Sequence, residues 1–113
     1  MPNLTFELKR NDLLPTLTVA ATYDDGSIID LTAATSPKFL MRLASAADLS
    51  TPKINAAATV VSGPAGTIRY TWQGTDTDTA GVYIAEFQVH LGGKPITIPG
   101  NGTIKVVILA DLG

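Results

Sequence analysis

An all-β sandwich of about seven strands is the fold this sequence predicts, and three observations predict it. Apolar and polar residues alternate with a period of two along most of the chain. Clusters of Gly, Pro, Asp and Asn break the alternation at intervals of roughly ten residues, the spacing of short antiparallel strands. Thr, Ala, Val, Ile and Gly dominate a composition with no cysteine, which favours strands and tight turns and excludes a disulfide.

The elements follow in order. LTFEL sets Leu4, Phe6 and Leu8 on one face. PTLTVAATY turns Leu17, Val19, Ala21 and Tyr23 inward, with Thr16, Thr18 and Thr22 outward. KFLMRL aligns Phe39, Met41 and Leu43, and INAAATVV alternates more weakly through Ile54, Ala56, Ala58 and Val60. TIRYTWQ points Ile68, Tyr70 and Trp72 inward. VYIAEFQVHL does the same for Tyr83, Ala85, Phe87, Val89 and Leu91, and leaves Glu86, Gln88 and His90 outside. The last run, TIKVVIL, alternates through Ile104, Val106 and Ile108. The expected core is therefore built on Phe6, Leu17, Val19, Phe39, Met41, Ile68, Tyr70, Trp72, Phe87, Val89 and Val106.

Turns are expected at Asp24-Asp25-Gly26, Ser62-Gly63-Pro64-Ala65-Gly66, Leu91-Gly92-Gly93-Lys94 and Pro99-Gly100-Asn101-Gly102. LASAADLS, residues 43 to 50, is the one helical candidate, at most a turn or two. With 113 residues and no internal repeat or linker, the chain reads as one immunoglobulin-like sandwich domain over 1–113.

Charge narrows the partners. Only 16% of residues are charged, against about 25% in a typical soluble domain, and the net charge is -2. The eight Lys and Arg are scattered, so the cation stripe that displaces counterions from nucleic acid is missing, and no nucleic-acid partner is expected. No apolar run approaches the ~20 residues of a membrane span, and MPNLTFELKRND has no basic region followed by an apolar one, so neither membrane nor export signal is expected.

The acidic stretch DTDTAGVYIAEF (76–87) raises the question of calcium. With Asp76 in the first position of an EF-hand loop, Asp78 and Gly81 fall correctly, but position 5 is Ala80, which has no side-chain oxygen, and position 12 is Phe87, with Glu86 one residue short. A solvated acidic turn is the expected state, and no metal or cofactor is expected. His90 is the only histidine and has no evident nucleophile partner. None of the five serines sits in a Gly-x-Ser-x-Gly turn, and no glycine loop lies between a strand and a helix. The expectation is a chain that is not an enzyme.

DTAGVY instead has the form of a tyrosine corner, in which a tyrosine near the start of a late strand bonds back to the preceding turn. Tyr83, Gly81 and Asp78 are its expected parts. In the final strand Val107 and Leu109 make the second face apolar too. Either that strand is covered on both sides within its own fold, or Lys105, Val107 and Leu109 meet a neighbouring subunit.

Asp25-Gly26, Asp30-Leu31-Thr32, Ala80-Gly81-Val82-Tyr83 and Glu86-Phe87 together resemble the immunoglobulin-like N-terminal domain of baseplate upper proteins and related small virion proteins of tailed bacteriophages. The resemblance spans most of the chain. It implies a structural protein of a virion, made in the host bacterial cytoplasm, that contacts other virion proteins and itself, in a ring or another homo-oligomer, through the strand 103–109 or the strand 4–9. The alternative is an adhesion module that recognises a glycan through loops 24–36 and 92–102.

Overall fold

A computed structural model describes residues 4–23, 25–44, 53–98 and 104–110. These residues form nine strands: β1 (Leu4–Lys9), β2 (Leu17–Ala20), β3 (Thr35–Leu43), β4 (Ile54–Ala57), β5 (Thr59–Ser62), β6 (Thr67–Tyr70), β7 (Gly81–Leu91), β8 (Lys94–Ile98) and β9 (Ile104–Leu109). Two sheets face one another as a β-sandwich. One has the order β1-β9-β7-β3-β4, with β8 also on β7, and the other the order β2-β6-β5. With β2, β6 and β5 in one layer and β9, β7 and β3 in the other, the chain follows the immunoglobulin order. No helix of the described residues is long and apolar enough to cross a membrane. Leu43 belongs to β3, and residues 45–50 of the helical candidate lie outside the described residues, as does the turn 99–102.

Nine strands replace the expected seven for two local reasons. INAAATVV divides at Ala58 into β4 and β5, which join different sheets. A further strand, KPITI, follows the Gly92-Gly93 turn, whose φ angles of 57° and 80° are those of a two-residue hairpin. The eleven-residue β7 thereby receives β9 along Gly81–Ala85 and β8 along Phe87–Leu91. The sheets are also not purely antiparallel: β1 runs parallel to β9, from Leu4↔Ile104 to Lys9↔Leu109.

Most of the predicted inward residues form the core; Ala56, Ala58, Val60 and Leu91 are only partly buried against it, and three others need correction. Tyr23 is 53% exposed, because β2 ends at Ala20 and the chain then bends into a hairpin tip. Leu43, at the end of β3, is 42% exposed. Phe6 is half-buried, packed on the core's margin with its ring 5.9 Å from that of Trp72. At the centre, Phe39 of β3 stacks on Tyr70 at 4.4 Å between centroids, meets Trp72 edge-on at 5.7 Å and lies 5.0 Å from Phe87. All four rings are buried.

The loop between β5 and β6 is closed by glycines for a reason beyond the turn. Segment 28–32 crosses directly over it, with Leu31 N donating to the Gly63 carbonyl at 2.8 Å, and Ala21, just past the end of β2, donates its N–H to the Gly66 carbonyl at 2.7 Å. A Cβ on Gly63 would lie 2.6 Å from the Thr32 Cα, and one on Gly66 2.4 Å from the Ile29 carbonyl oxygen.

Candidate functional site

In the stretch 70–83, the side chains of Tyr70, Asp76, Thr77, Asp78, Thr79 and Tyr83 each make a structural bond. The Tyr83 hydroxyl donates to the Thr79 carbonyl at 2.8 Å, which ties β7 to the turn before it. Thr79, not Asp78, receives this bond. Asp78 pairs with Lys53 at 2.9 Å and accepts from the Thr79 hydroxyl at 3.0 Å. Gly81 opens β7 opposite Ile108. Asp76 accepts from the Tyr70 hydroxyl and, at 2.9 Å, from Gln73 N. Burial, then the Asp76 carboxylate, push the Tyr70 phenol well up, and burial raises that of Tyr83.

The same turn holds the β1–β2 connection. Thr77 is fully buried, and its hydroxyl donates to the Asp12 carbonyl at 3.0 Å, while Asn11 N donates to the Thr77 carbonyl at 2.9 Å. Trp72 Nε1 donates to the Pro15 carbonyl at 3.1 Å. Trp72 is buried beyond the end of β6, where this bond and the aromatic cluster hold it. Asp76 and Asp78 thus serve different partners, and the described residues contain no group of three His, Cys, Asp or Glu that could hold a metal ion. His90 is half-buried in register with Thr35 and Pro95, where exposure was expected.

Removing the Tyr83 hydroxyl should lower stability by about 1 kcal/mol, since the Thr79 carbonyl loses its partner. A Tyr83→Phe variant is expected to show a lower urea midpoint at unchanged slope.

The Asp-Gly and Asp-Leu-Thr motifs are local turns of one kind. Asp25 Oδ1 accepts from Ser27 N at 2.9 Å and from the Ser27 hydroxyl at 2.6 Å. Asp30 Oδ1 accepts from Thr32 N at 2.8 Å and from its hydroxyl, which sets the buried Leu31 into the core. The hydroxyl and backbone donors of Ser27 and Thr32 hold these carboxyls below their ordinary value of 3.8, and Lys53 with Thr79 does so for Asp78. A folded-state pKa below the unfolded one means stability that is present at neutral pH and lost as pH falls through 3.8 and below. The urea midpoint should therefore drop on acidification, and Asp30→Asn and Asp78→Asn together should flatten that drop. A midpoint level to the acid limit of the titration would contradict this.

The predicted contact residues Lys105, Val107 and Leu109 all lie on the outer face of the six-stranded sheet. Their strand sits between β1 and β7, so it offers a face, not an edge; the free edge on this side is β1. Register places Val107 beside Val82 and Glu7, and Lys105 beside Ile84 and Thr5. Ile84 neighbours Arg42, and Leu40 neighbours Glu86. Leu40, Ile84, Val82, Val107 and Leu109 thus make an apolar band across three strands, with Val82 43% and Leu109 41% exposed. A groove of about 220 Å³ runs between β3 and β7, lined by the outward Leu40, Arg42, Ile84, Glu86 and Gln88. Leu40 and Ile84 were not singled out in the sequence, although they interrupt the outward polar series of their strands just as Val107 does.

No protein-family model matches the chain, and no curated protein matches it.

Proposed function

We propose that this chain is a non-enzymatic structural component of a tailed-bacteriophage virion, in the tail, baseplate or head, that works through protein–protein contacts. The observation that carries this reading is the apolar band Leu40, Ile84, Val82, Val107 and Leu109 on the outer face of a sheet. The inner face of that sheet already supplies the core, so the band adds nothing to the packing between the two sheets. Contiguous apolar surface of this kind, rimmed by charge, marks an interaction site. The resemblance of four short motifs to those of baseplate upper proteins supports the virion reading, and two of these motifs are the Asp turns that set the 25–32 segment.

Light scattering at tens of micromolar, combined with capture of proteins from disrupted tailed-phage particles, tests the reading. Mass above the monomer, or retention of tail, baseplate or head proteins, is the expected result. A strict monomer that retains none of them would overturn it.

A further inference from the structure

We propose that the free edge of β1 pairs antiparallel with β1 of a second copy, about a two-fold axis at Leu8, so that the two six-stranded sheets run on as one. The inference rests on the protein–protein reading above and names the contact between copies.

This edge is open in a way that the others are not. β1 ends its sheet, and among the described residues no strand lies on its far side. An unpaired edge is a template for strand addition, and folds blunt it with short strands, bulges or proline. β2 and β4 have four residues each. β5 also has four, and its register with β6 shifts between Val60 and Ser62. β8 carries Pro95. β1 has six residues, LTFELK, with no proline and an unbroken register to β9.

The ladder to β9 shows which backbone groups face the open side. Arg10 N donates to the Leu109 carbonyl at 2.7 Å, so residue 10 turns its backbone toward β9. Successive residues of a strand turn theirs to opposite sides. Phe6 and Leu8 therefore also bond β9, whereas Thr5, Glu7 and Lys9 turn N–H and C=O to the open side. The Lys9 carbonyl accepts from Asp12 N at 3.1 Å and keeps a second lone pair.

Charge selects the partner and its register. In an antiparallel pair of identical strands centred on Glu7, the two Glu7 carboxylates would stand opposite one another. Centred on Phe6, Glu7 would face Thr5, which has no charge. Centred on Leu8, Glu7 faces Lys9 of the copy and Lys9 faces its Glu7, so the strand is complementary to itself. Both side chains are exposed, and both residues turn their backbone outward, so each pair exchanges N–H···O=C bonds in both directions. The buried Leu8 meets its own copy at the axis on the inner face. Such a contact is isologous and closes at two copies.

The same register joins the outer faces. Val82, Val107 and Glu7 lie side by side, as do Lys9 and Leu109. Across the axis Glu7 is followed by Lys9 and Leu109 of the copy. The dimer thus carries both apolar bands on one side of a single sheet, where a further protein can cover them together.

Sedimentation of the full chain tests this. Wild type should move from the monomer mass of 11.8 kDa to twice that as concentration rises. Glu7→Pro removes a donor on the open side and none that β9 uses, so it should melt cooperatively and stay monomeric. Glu7→Lys sets a lysine opposite Lys9, and Lys9→Glu sets a glutamate opposite Glu7. Each alone turns both pairs repulsive and should weaken the dimer about tenfold or more. Mixing these two variants, or combining both changes in one chain, restores opposite charges at both pairs and should recover the dimer. Should Glu7→Pro not fold, the charge variants decide alone. A monomeric wild type, a dimeric Glu7→Pro, single charge changes without effect, or a mixture that stays weak would overturn the proposal. A dimer indifferent to these variants, or a monomer that retains virion proteins, would still uphold the broader reading.

Discussion

Replacing Phe39 with alanine is expected to destabilise the fold by about 3–5 kcal/mol, the range for emptying a fully buried aromatic site. Phe39 is fully buried and is the ring that the other three share: Tyr70 stacks on it, Trp72 meets it edge-on and Phe87 tilts against it from the same sheet. Its loss removes the contact between β3 of one sheet and the end of β6 of the other, so neither sheet can relax to fill the space alone. A domain of this size has about 5–15 kcal/mol in total, so the variant should melt many degrees lower or fail to fold. Phe39→Leu, which keeps much of the volume, should retain a cooperative transition. Thermal and urea melts of the two variants check this, and an alanine variant that melts like wild type would contradict it.

Gly66→Ala is the second large effect, expected at about 2–4 kcal/mol from overpacking together with left-handed backbone. Gly66 has φ +67°, and its added Cβ would meet the Ile29 carbonyl oxygen at 2.4 Å, the Ile28 Cγ2 at 2.9 Å and the Ala21 carbonyl oxygen at 3.2 Å. Two of these are backbone atoms of residues tied to each other and to the loop: Ile29 N donates to the Ala21 carbonyl at 2.9 Å, and Ala21 N donates to the Gly66 carbonyl at 2.7 Å. Relief requires moving segment 28–32 off the loop, which would also draw the buried Leu31 from the core. Gly74→Ala gives the control. Its φ of +50° is similar, but nothing lies within 4 Å of its Cβ position, so only the backbone part of the effect should remain. Equal losses at the two positions, measured by urea denaturation, would show that the crossing segment exerts no constraint.

Alternation made most strands legible because a strand with one buried face writes that face into every second residue. Ile68, Tyr70, Phe87 and Val89 lie inside for that reason. The same rule overshot at Tyr23 and Leu43, where the pattern continues past the last residue that another layer covers. It also cannot say which strand lies beside which: the parallel pairing of β1 with β9 joins residues about one hundred positions apart and leaves no local mark. The role of Tyr83 was legible because the turn and the strand it joins are adjacent in the chain. Its carbonyl partner was not, since Thr79 contributes backbone and any side chain would serve. Gly63 and Gly66 read as turn residues because the chain that crosses them lies thirty residues earlier and carries no signal of the contact. The apolar band on the outer face was seen only in part, through Val107 and Leu109. Its other members come from strands whose register appears only in the folded sheet.

The parallel pair β1 and β9 has a mechanical consequence. Leu4 lies beside Ile104 and Lys9 beside Leu109, so residue 4 and residue 109 sit at opposite ends of the paired ribbon. A pull on these two points loads the strands along their length in opposite directions. All the hydrogen bonds between them are then strained in shear at once, and none can open ahead of the rest. An antiparallel hairpin pulled from its two ends unzips one bond at a time. Under tension along this axis the domain should behave as a stiff link that holds its length until the whole ribbon slips.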